Sequence, residues 1–326
     1  MARSAGVLLS ITSLPSPYGI GTIGKEARKF ADFLKKSGQT IWQILPVGPT
    51  SYGDSPYQSF STYAGNPYLI DLDTLCEEGL LTKEEVMSRD WGSDDAEVDY
   101  EKIYNNRFEV LKIAYDNFKK GDQKAFTSFK RKNSSWLKNY ALYMAVKKSF
   151  DMVSWTEWPD EEIKMRDEAA VKRYERKLKD DVDFWKFVQF KFYEQWESFR
   201  AYVNGLGIKI LGDMPIYVAW TAQTHGQIPS CFSFMTTVIL SQLQAVRRIT
   251  SRQQVSFGAI LFMIGITLRL PTMSGGLSVS KPHQSFMTSP VLTISELLQA
   301  TIQFLILPKT QSTVNGLKVR ALSSLI

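Results

Sequence analysis

A segment rich in aromatic and small polar residues, Ser51–Asp71, holds the side chains of this sequence that could bind a polyhydroxylated ligand. We call this segment the aromatic loop. Its rings belong to Tyr52, Tyr57, Phe60, Tyr63 and Tyr68. Aromatic rings stack on the apolar faces of sugars, while hydroxyl and carboxylate groups form hydrogen bonds with sugar hydroxyls. The residue types alone favour a plainer interpretation, in which the tyrosines fill a structured loop as amphipathic side chains.

Other groups with catalytic or metal-binding chemistry are sparse. The two histidines, His225 and His283, lie 58 residues apart with no acid beside either, so we interpret them as incidental rather than as metal ligands or bases. The two cysteines, Cys76 and Cys231, argue against a disulfide scaffold, show no Cys-X-X-Cys metal spacing and fit a reducing cytosol. We therefore expect a cytoplasmic protein with no metal site and no cofactor.

The elements around the aromatic loop have the pattern of a parallel sheet. A buried strand is predicted over Gly6–Ile11, a helix over Lys25–Lys36 with Gly38 at its end, and a second strand over Ile41–Pro46. Such a strand–helix–strand unit is the building block of parallel sheets and barrels. The aromatic loop follows the second strand, where a rigid element can support a binding loop.

A charged helical region, about Leu75–Asp180, interrupts this pattern and is predicted to be an insertion. A long amphipathic helix is then predicted over Phe184–Asn204, and a third strand with its loop over Ile208–Val218. The helices predicted within the insertion are Lys83–Arg89, Tyr100–Lys119, Asn133–Phe150 and Asp160–Asp180, with Trp91, Trp136, Trp155 and Trp158 as anchors.

The composition changes abruptly after Ala219. The first 219 residues hold 32 acidic and 31 basic residues, whereas the last 107 hold one acid, Glu296, and eight basic residues. The net charge of +6 therefore arises from missing acids rather than from a basic patch, which argues against nucleic-acid binding. The apolar stretch Val255–Leu268 is too short to predict a transmembrane helix, so we expect no membrane partner.

Six runs of residues before Ala219 carry recognisable motifs. They are Ser4–Leu9, Thr12–Pro15, Tyr18–Gly21, Trp42–Pro49, Gly53–Tyr68 and Gly212–Val218. In the order and spacing of these runs, residues 1–219 resemble the 4-α-glucanotransferases, the amylomaltase or disproportionating-enzyme family. The resemblance implies an α/β fold, an incomplete (β/α)8 TIM barrel of about three N-terminal strands with a helical insertion over about 75–180.

The family transfers a segment of an α-1,4-glucan to the 4-hydroxyl of an acceptor sugar, with retention of configuration through a covalent intermediate. By resemblance, Tyr57 is the aromatic platform under the sugar at the cleavage point, Asp213 is a sugar-binding acid, and Ser55 adds a backbone or hydroxyl contact. The implied partners are maltooligosaccharides or α-1,4-glucans. Plainer roles stay open, in which Asp213 holds the turn after the strand and Ser55 is a turn residue.

The catalytic carboxylates of the family have no counterpart in this sequence. In the family the nucleophile lies after the fourth strand in a run like R-I-D-H-F-R, and the chain after Ala219 offers only Glu296. Retaining transfer requires two carboxyl groups close together. We therefore assign no catalytic residue and expect the chain to be an inactive, truncated form of the enzyme.

The genetic code suggests a cause for the break, namely a single-base deletion, biological or introduced in sequencing, at about codon 220. With one base restored, the codons of Trp220–Ser233 permit L-D-S-A-D-T-W-A-N-P-E-L-F, and those of Phe257–Ile266 permit L-W-G-N-P-L-Y-D-W-D. In the same restored frame, the codons of Val291–Glu296 permit R-I-D-H-F-R. All three are family motifs in one constant frame, so residues 220–326 are expected to be an out-of-frame tail of uncertain fold without a specified domain.

Two other functions stay open. The chain could be a non-catalytic α-glucan-binding protein that uses Tyr57 and Asp213 without turnover. The tail could also have its own role in membrane or partner association through Val255–Leu268, although its local signals disagree with one another, which argues against a specified fold.

Overall fold

The computed structural model describes residues 4–50, 53–59, 61, 63–92 and 97–213. Features that the sequence places later in the chain lie outside the described residues, among them Cys231, both histidines, Glu296 and the stretch Val255–Leu268. Tyr52 and Phe60 of the aromatic loop lie outside them as well. The predicted tail over 220–326 therefore stays a prediction.

Within the described residues, three short strands form a parallel sheet in the order β1 (Gly6–Leu8), β2 (Ile41–Gln43) and β3 (Lys209–Leu211). Both pairings are parallel, so the carboxyl ends of the three strands meet at one edge of the sheet. Trp42, at the centre of β2, is fully buried, and its indole N–H donates to the carbonyl oxygen of Leu9 at 2.9 Å.

The predicted strands are present, but each is shorter than its hydrophobic run. After β1 the chain enters a 3-10 helix at Ile11–Ser13, so the apolar residues of this run are divided between two elements. Beyond β2, one further ladder bond joins the N–H of Ile44 to the carbonyl oxygen of Leu211 at 2.9 Å. Pro46 cannot donate such a bond, which prevents the strand from extending through it.

Helices make up most of the described chain. Helix α1 agrees with the predicted bounds, and α9 begins at Lys179 rather than at the predicted Phe184. In the described ranges the α-helices are α1 (Lys25–Lys36), α2 (Leu72–Glu77), α3 (Lys83–Met87), α4 (Tyr100–Phe118), α5 (Lys124–Lys132), α6 (Ser134–Ser149), α7 (Glu161–Lys164), α8 (Glu168–Lys177) and α9 (Lys179–Gly205). None of those helices is both long enough and apolar enough to cross a membrane.

The prediction of one continuous helix over Asp160–Asp180 is wrong, because the chain is broken between α7 and α8. Arg166 has a positive φ of 59°, which no α-helix accommodates. Asp167 then caps α8, since its carboxylate accepts the N–H groups of Ala169 at 2.9 Å and Ala170 at 3.1 Å. Local capping thus overrides the apolar periodicity that runs through both helices.

Helix α9 is central to the described structure, because it packs against α1, α4, α5, α6, α8 and β3. Its fully buried side chains include Phe187, Phe192 and Phe199. The ring of Phe199 meets that of Trp42 edge to face, with 5.6 Å between the ring centroids, which joins the helix to the sheet. Of the four tryptophans predicted to anchor the insertion, Trp91 and Trp158 are buried, and Trp136 and Trp155 are partly buried against the core.

The aromatic loop lies against α9 at Gly65 with no room for a side chain. A Cβ atom at this position would lie 2.0 Å from two ring carbons of Phe192. We expect Gly65→Ala to destabilise the chain by about 1–3 kcal/mol through overpacking, measured by urea unfolding with tryptophan fluorescence. Gly205→Ala is the matched control, because a Cβ there meets nothing within 4 Å. Equal unfolding midpoints for the two variants would contradict this account of the contact.

Candidate functional site

The topology of the sheet brings two sequence-predicted site residues to the same edge. The aromatic loop follows β2, and Asp213 follows β3 after one intervening residue. Because these strands are parallel neighbours, the segments that leave their carboxyl ends begin side by side. Binding residues in open parallel sheets gather at this edge.

Tyr57 and Asp213 are joined directly. The phenol O–H of Tyr57 donates to Oδ2 of Asp213 at 2.7 Å, across a sequence separation of 156 residues. The side chain of Tyr57 is 43% exposed, so its ring is available to a ligand. The hydrogen bond to Asp213, followed by partial burial and the negative charge of the carboxylate, raises the pKa of Tyr57 to about 12.

Ser55 lies in the turn that presents Tyr57. Its Oγ accepts the backbone N–H of Tyr57 at 3.4 Å, and its carbonyl oxygen accepts the N–H of Gln58 at 3.0 Å. The predicted turn role is therefore visible in its contacts, while a contact with a ligand stays a prediction. Asp54, for which the sequence predicts no role, has a φ of 51° and accepts a hydrogen bond from the hydroxyl of Thr50 at 3.3 Å. Burial raises the pKa of this carboxyl group.

The base of the loop is closed by backbone and serine contacts. Thr50 and Ser59 form an antiparallel bridge, and the N–H of Asn66 donates to the carbonyl oxygen of Val47 at 2.8 Å. The hydroxyl of Ser59 donates to the carbonyl oxygen of Ser61 at 2.8 Å, and both serines are buried. Tyr57 therefore projects from a loop whose two ends are held together.

The other described rings of the loop face the protein. Tyr68 is buried and contacts Tyr100 and Phe108, and Tyr63 stacks on Trp136 with 6.1 Å between ring centroids and 13° between ring planes. The interpretation of tyrosines as amphipathic filler thus fits Tyr68 and Tyr63, whereas Tyr57 is exposed. Within the described ranges, no three His, Cys, Asp or Glu side chains come together as a metal site.

Comparison with known proteins gives one consistent result. The profile of a family described as 4-alpha-glucanotransferase matches residues 9–238, which extends past the change of composition at Ala219. The 4-alpha-glucanotransferase of Clostridium butyricum is 46% identical over 224 residues, covering 69% of this chain and 46% of that protein. The enzyme of Streptococcus pneumoniae is 50% identical over 218 residues, covering 67% of this chain and 43% of that protein.

A solved structure agrees with these sequence matches. Amylomaltase from Streptococcus agalactiae, determined in complex with acarbose, superposes with a TM-score of 0.69 at 41% identity. The match covers 71% of this chain and 47% of that one. The chain therefore spans less than half the length of these relatives.

The Tyr57–Asp213 bond predicts a measurable change in ionisation. We expect the phenol of Tyr57 to stay largely protonated at about pH 11, and Asp213→Asn to move its pKa down towards the ordinary value near 10, because the negative acceptor is removed. The measurement is 13C NMR of tyrosine-labelled protein, with the Tyr57 signal assigned by its loss in Tyr57→Phe. An unchanged pKa in Asp213→Asn would show that the bond is absent in solution.

Proposed function

The chain belongs to the 4-alpha-glucanotransferase family, and from that premise we propose that its N-terminal part is the sugar-binding portion of an enzyme that transfers α-1,4-glucan segments. The reaction passes a glycosyl segment from a donor to the 4-hydroxyl of an acceptor glucose or glucan by retaining double displacement. The observation that carries the proposal is the contact of Tyr57 with Asp213 at the carboxyl edge of the sheet.

The two side chains have complementary roles in this proposal. The exposed face of Tyr57 packs against the apolar face of a glucose ring, and Asp213 accepts hydrogen bonds from sugar hydroxyls. A carboxylate has acceptor capacity for more than one donor, so Asp213 can bond a sugar while it still holds the phenol of Tyr57. Ser55 keeps Tyr57 in its turn and is close enough in sequence to add a contact of its own.

We interpret β1, β2 and β3 as the first three strands of a (β/α)8 barrel, with α2–α8 as the helical insertion. Within the described residues, β1 and β3 each pair with one neighbour only, and the side chain of Leu8 on β1 is 58% exposed. Unpaired strand edges and exposed apolar side chains favour association between chains. Poor solubility of the isolated chain is the expected consequence.

The catalytic part of the proposal concerns the codons after Ala219. Three family motifs, including R-I-D-H-F-R with its acidic residue, are permitted by a single shifted frame, whereas the printed frame supplies only Glu296. A retaining mechanism requires two carboxyl groups about 5–5.5 Å apart. We therefore propose that a frame shift at about codon 220 removes the nucleophile and the acid/base, so that residues 1–219 bind sugar and the chain does not turn it over.

Incubation with maltotriose tests the loss of activity. We expect glucose release no greater than that of a heat-killed control, because the catalytic carboxylates are missing. Saturable quenching of tryptophan fluorescence by maltose, abolished in Tyr57→Ala and Asp213→Asn, would support a non-catalytic α-glucan-binding protein as the function of this chain. Glucose release well above the control would refute the proposal that the carboxylates are absent, and no quenching would refute sugar binding.

Resequencing the locus across codon 220 tests the frame. A deletion introduced in sequencing predicts one additional base there, which would restore L-D-S-A-D-T-W-A-N-P-E-L-F after Ala219, and a biological deletion predicts that adding one base in an expression plasmid restores the same residues. If the base is found in the genome, the protein expressed from the restored frame should release glucose from maltotriose. A locus without the additional base, in which adding one base in an expression plasmid brings no gain of activity, would contradict the hypothesis.

A further inference from the structure

Helix α9 carries two buried glutamines that pair with the backbone of the aromatic loop. Gln189 is 0% exposed and Gln195 is 6% exposed. The amide N–H of Gln189 donates to the carbonyl oxygen of Gly65 at 2.9 Å, and its amide oxygen accepts the N–H of Gly65 at 2.8 Å. The amide N–H of Gln195 donates to the carbonyl oxygen of Asp71 at 3.1 Å, and its amide oxygen accepts the N–H of Asp71 at 2.7 Å. Each glutamine therefore replaces both hydrogen bonds that a neighbouring strand would supply.

The pair at Gly65 is reinforced one helical turn further along α9. The phenol of Tyr193 donates to the carbonyl oxygen of Tyr63 at 2.6 Å. Residues four apart on a helix share a face, so Gln189 and Tyr193 hold the same stretch of loop from the same side. The loop backbone here lies against the ring of Phe192, where Gly65 leaves no room for a side chain.

A short series of hydrogen bonds leads from this stretch to Ser59, two positions after Tyr57 in the sequence. The N–H of Ala64 donates to Oγ of Ser61 at 3.3 Å, and Ser61 is bonded in turn to the hydroxyl of Ser59. Ser59 forms the bridge to Thr50 that closes the base of the loop. One residue, Gln58, separates Tyr57 from that bridge, so the direction in which Tyr57 projects depends on how the bridge is held.

Gln195 contacts a different part of the chain. Asp71, its partner, is the N-cap of α2, where its carboxylate accepts the N–H of Thr74 at 2.9 Å and the hydroxyl of Thr22 at 2.8 Å. The 3-10 helix Pro67–Leu69 lies between this cap and Gly65. The two glutamines thus make the same bonds, but only Gln189 acts on the stretch that leads to Tyr57.

We propose that Gln189, assisted by Tyr193, is a positioning residue for the sugar site, which fixes the aromatic loop so that Tyr57 meets Asp213. The proposal rests on the function proposed above and adds two residues to that site, neither of which touches the sugar. A loop held in its binding conformation before the ligand arrives loses less conformational entropy on binding. The rigid attachment to α9 therefore contributes to affinity.

The test compares Gln189→Met with Gln195→Met. Methionine is unbranched and of similar size, so each variant removes one glutamine pair and leaves one backbone N–H and C=O unpaired. We expect Gln189→Met to weaken maltotriose binding about tenfold or more and to shift the 13C signal of Tyr57 at neutral pH towards its position in Asp213→Asn. Gln195→Met should lower stability to a similar degree but leave both readouts unchanged.

Tyr193→Phe is the second variant, because it removes one hydroxyl and keeps the ring packing. Tyr193→Phe should move the 13C signal of Tyr57 in the same direction as Gln189→Met does, but by a smaller amount. If Gln189→Met does not fold, the Tyr57 signal in Tyr193→Phe tests the positioning role. Equal effects of the two methionine variants, or an unmoved Tyr57 signal in both Gln189→Met and Tyr193→Phe, would overturn the proposal. If the unaltered chain does not bind maltotriose, the proposed function fails, whereas the Tyr57 signal still tests the positioning role.

Discussion

The backbone of the aromatic loop is buried against helix α9 at Gly65 and Asp71, and its polar groups need hydrogen-bond partners there. A loop buried against a helix has backbone donors and acceptors that no strand can satisfy, and each unpaired group costs free energy. Gln189 and Gln195 supply both partners at Gly65 and Asp71, so the loop can lie in the core without that penalty. The same helix carries Phe199, whose contact with Trp42 fixes the sheet beneath the loop.

The parallel sheet brings the loop after β2 and the segment after β3 together at the candidate site. β2 and β3 are neighbours although the whole helical insertion lies between them in sequence, because α9 returns the chain to the sheet beside β2. Their carboxyl ends therefore deliver Tyr57 and Asp213 to one place. The insertion is compatible with the sheet because its helices pack on α9 and on one another, which leaves the strand order unaffected.

Much of the described architecture could be predicted from the sequence, and the failures have local physical causes. The apolar periodicity over Lys25–Lys36 predicted α1 with its bounds, because a surface helix buries a single regular face. Apolar periodicity gave a wrong prediction between α7 and α8, because the left-handed backbone of Arg166 and the cap at Asp167 divide a continuous apolar pattern into two helices. Helix α5 was not predicted, since its nine residues are rich in lysine and it is held by aromatic contacts with α9, such as Phe126 with Phe190.

The order of the elements, the membership of the family and the change of composition after Ala219 follow from the sequence, because motifs and composition are properties of linear order. It could not distinguish the exposed Tyr57 from the buried Tyr68, since both are tyrosines in one polar loop. It also gave no signal for Gln189, which resembles any polar residue of an amphipathic helix. These differences arise on folding, because exposure and pairing depend on contacts between residues that are distant in sequence, such as Tyr57 with Asp213 and Gly65 with Gln189.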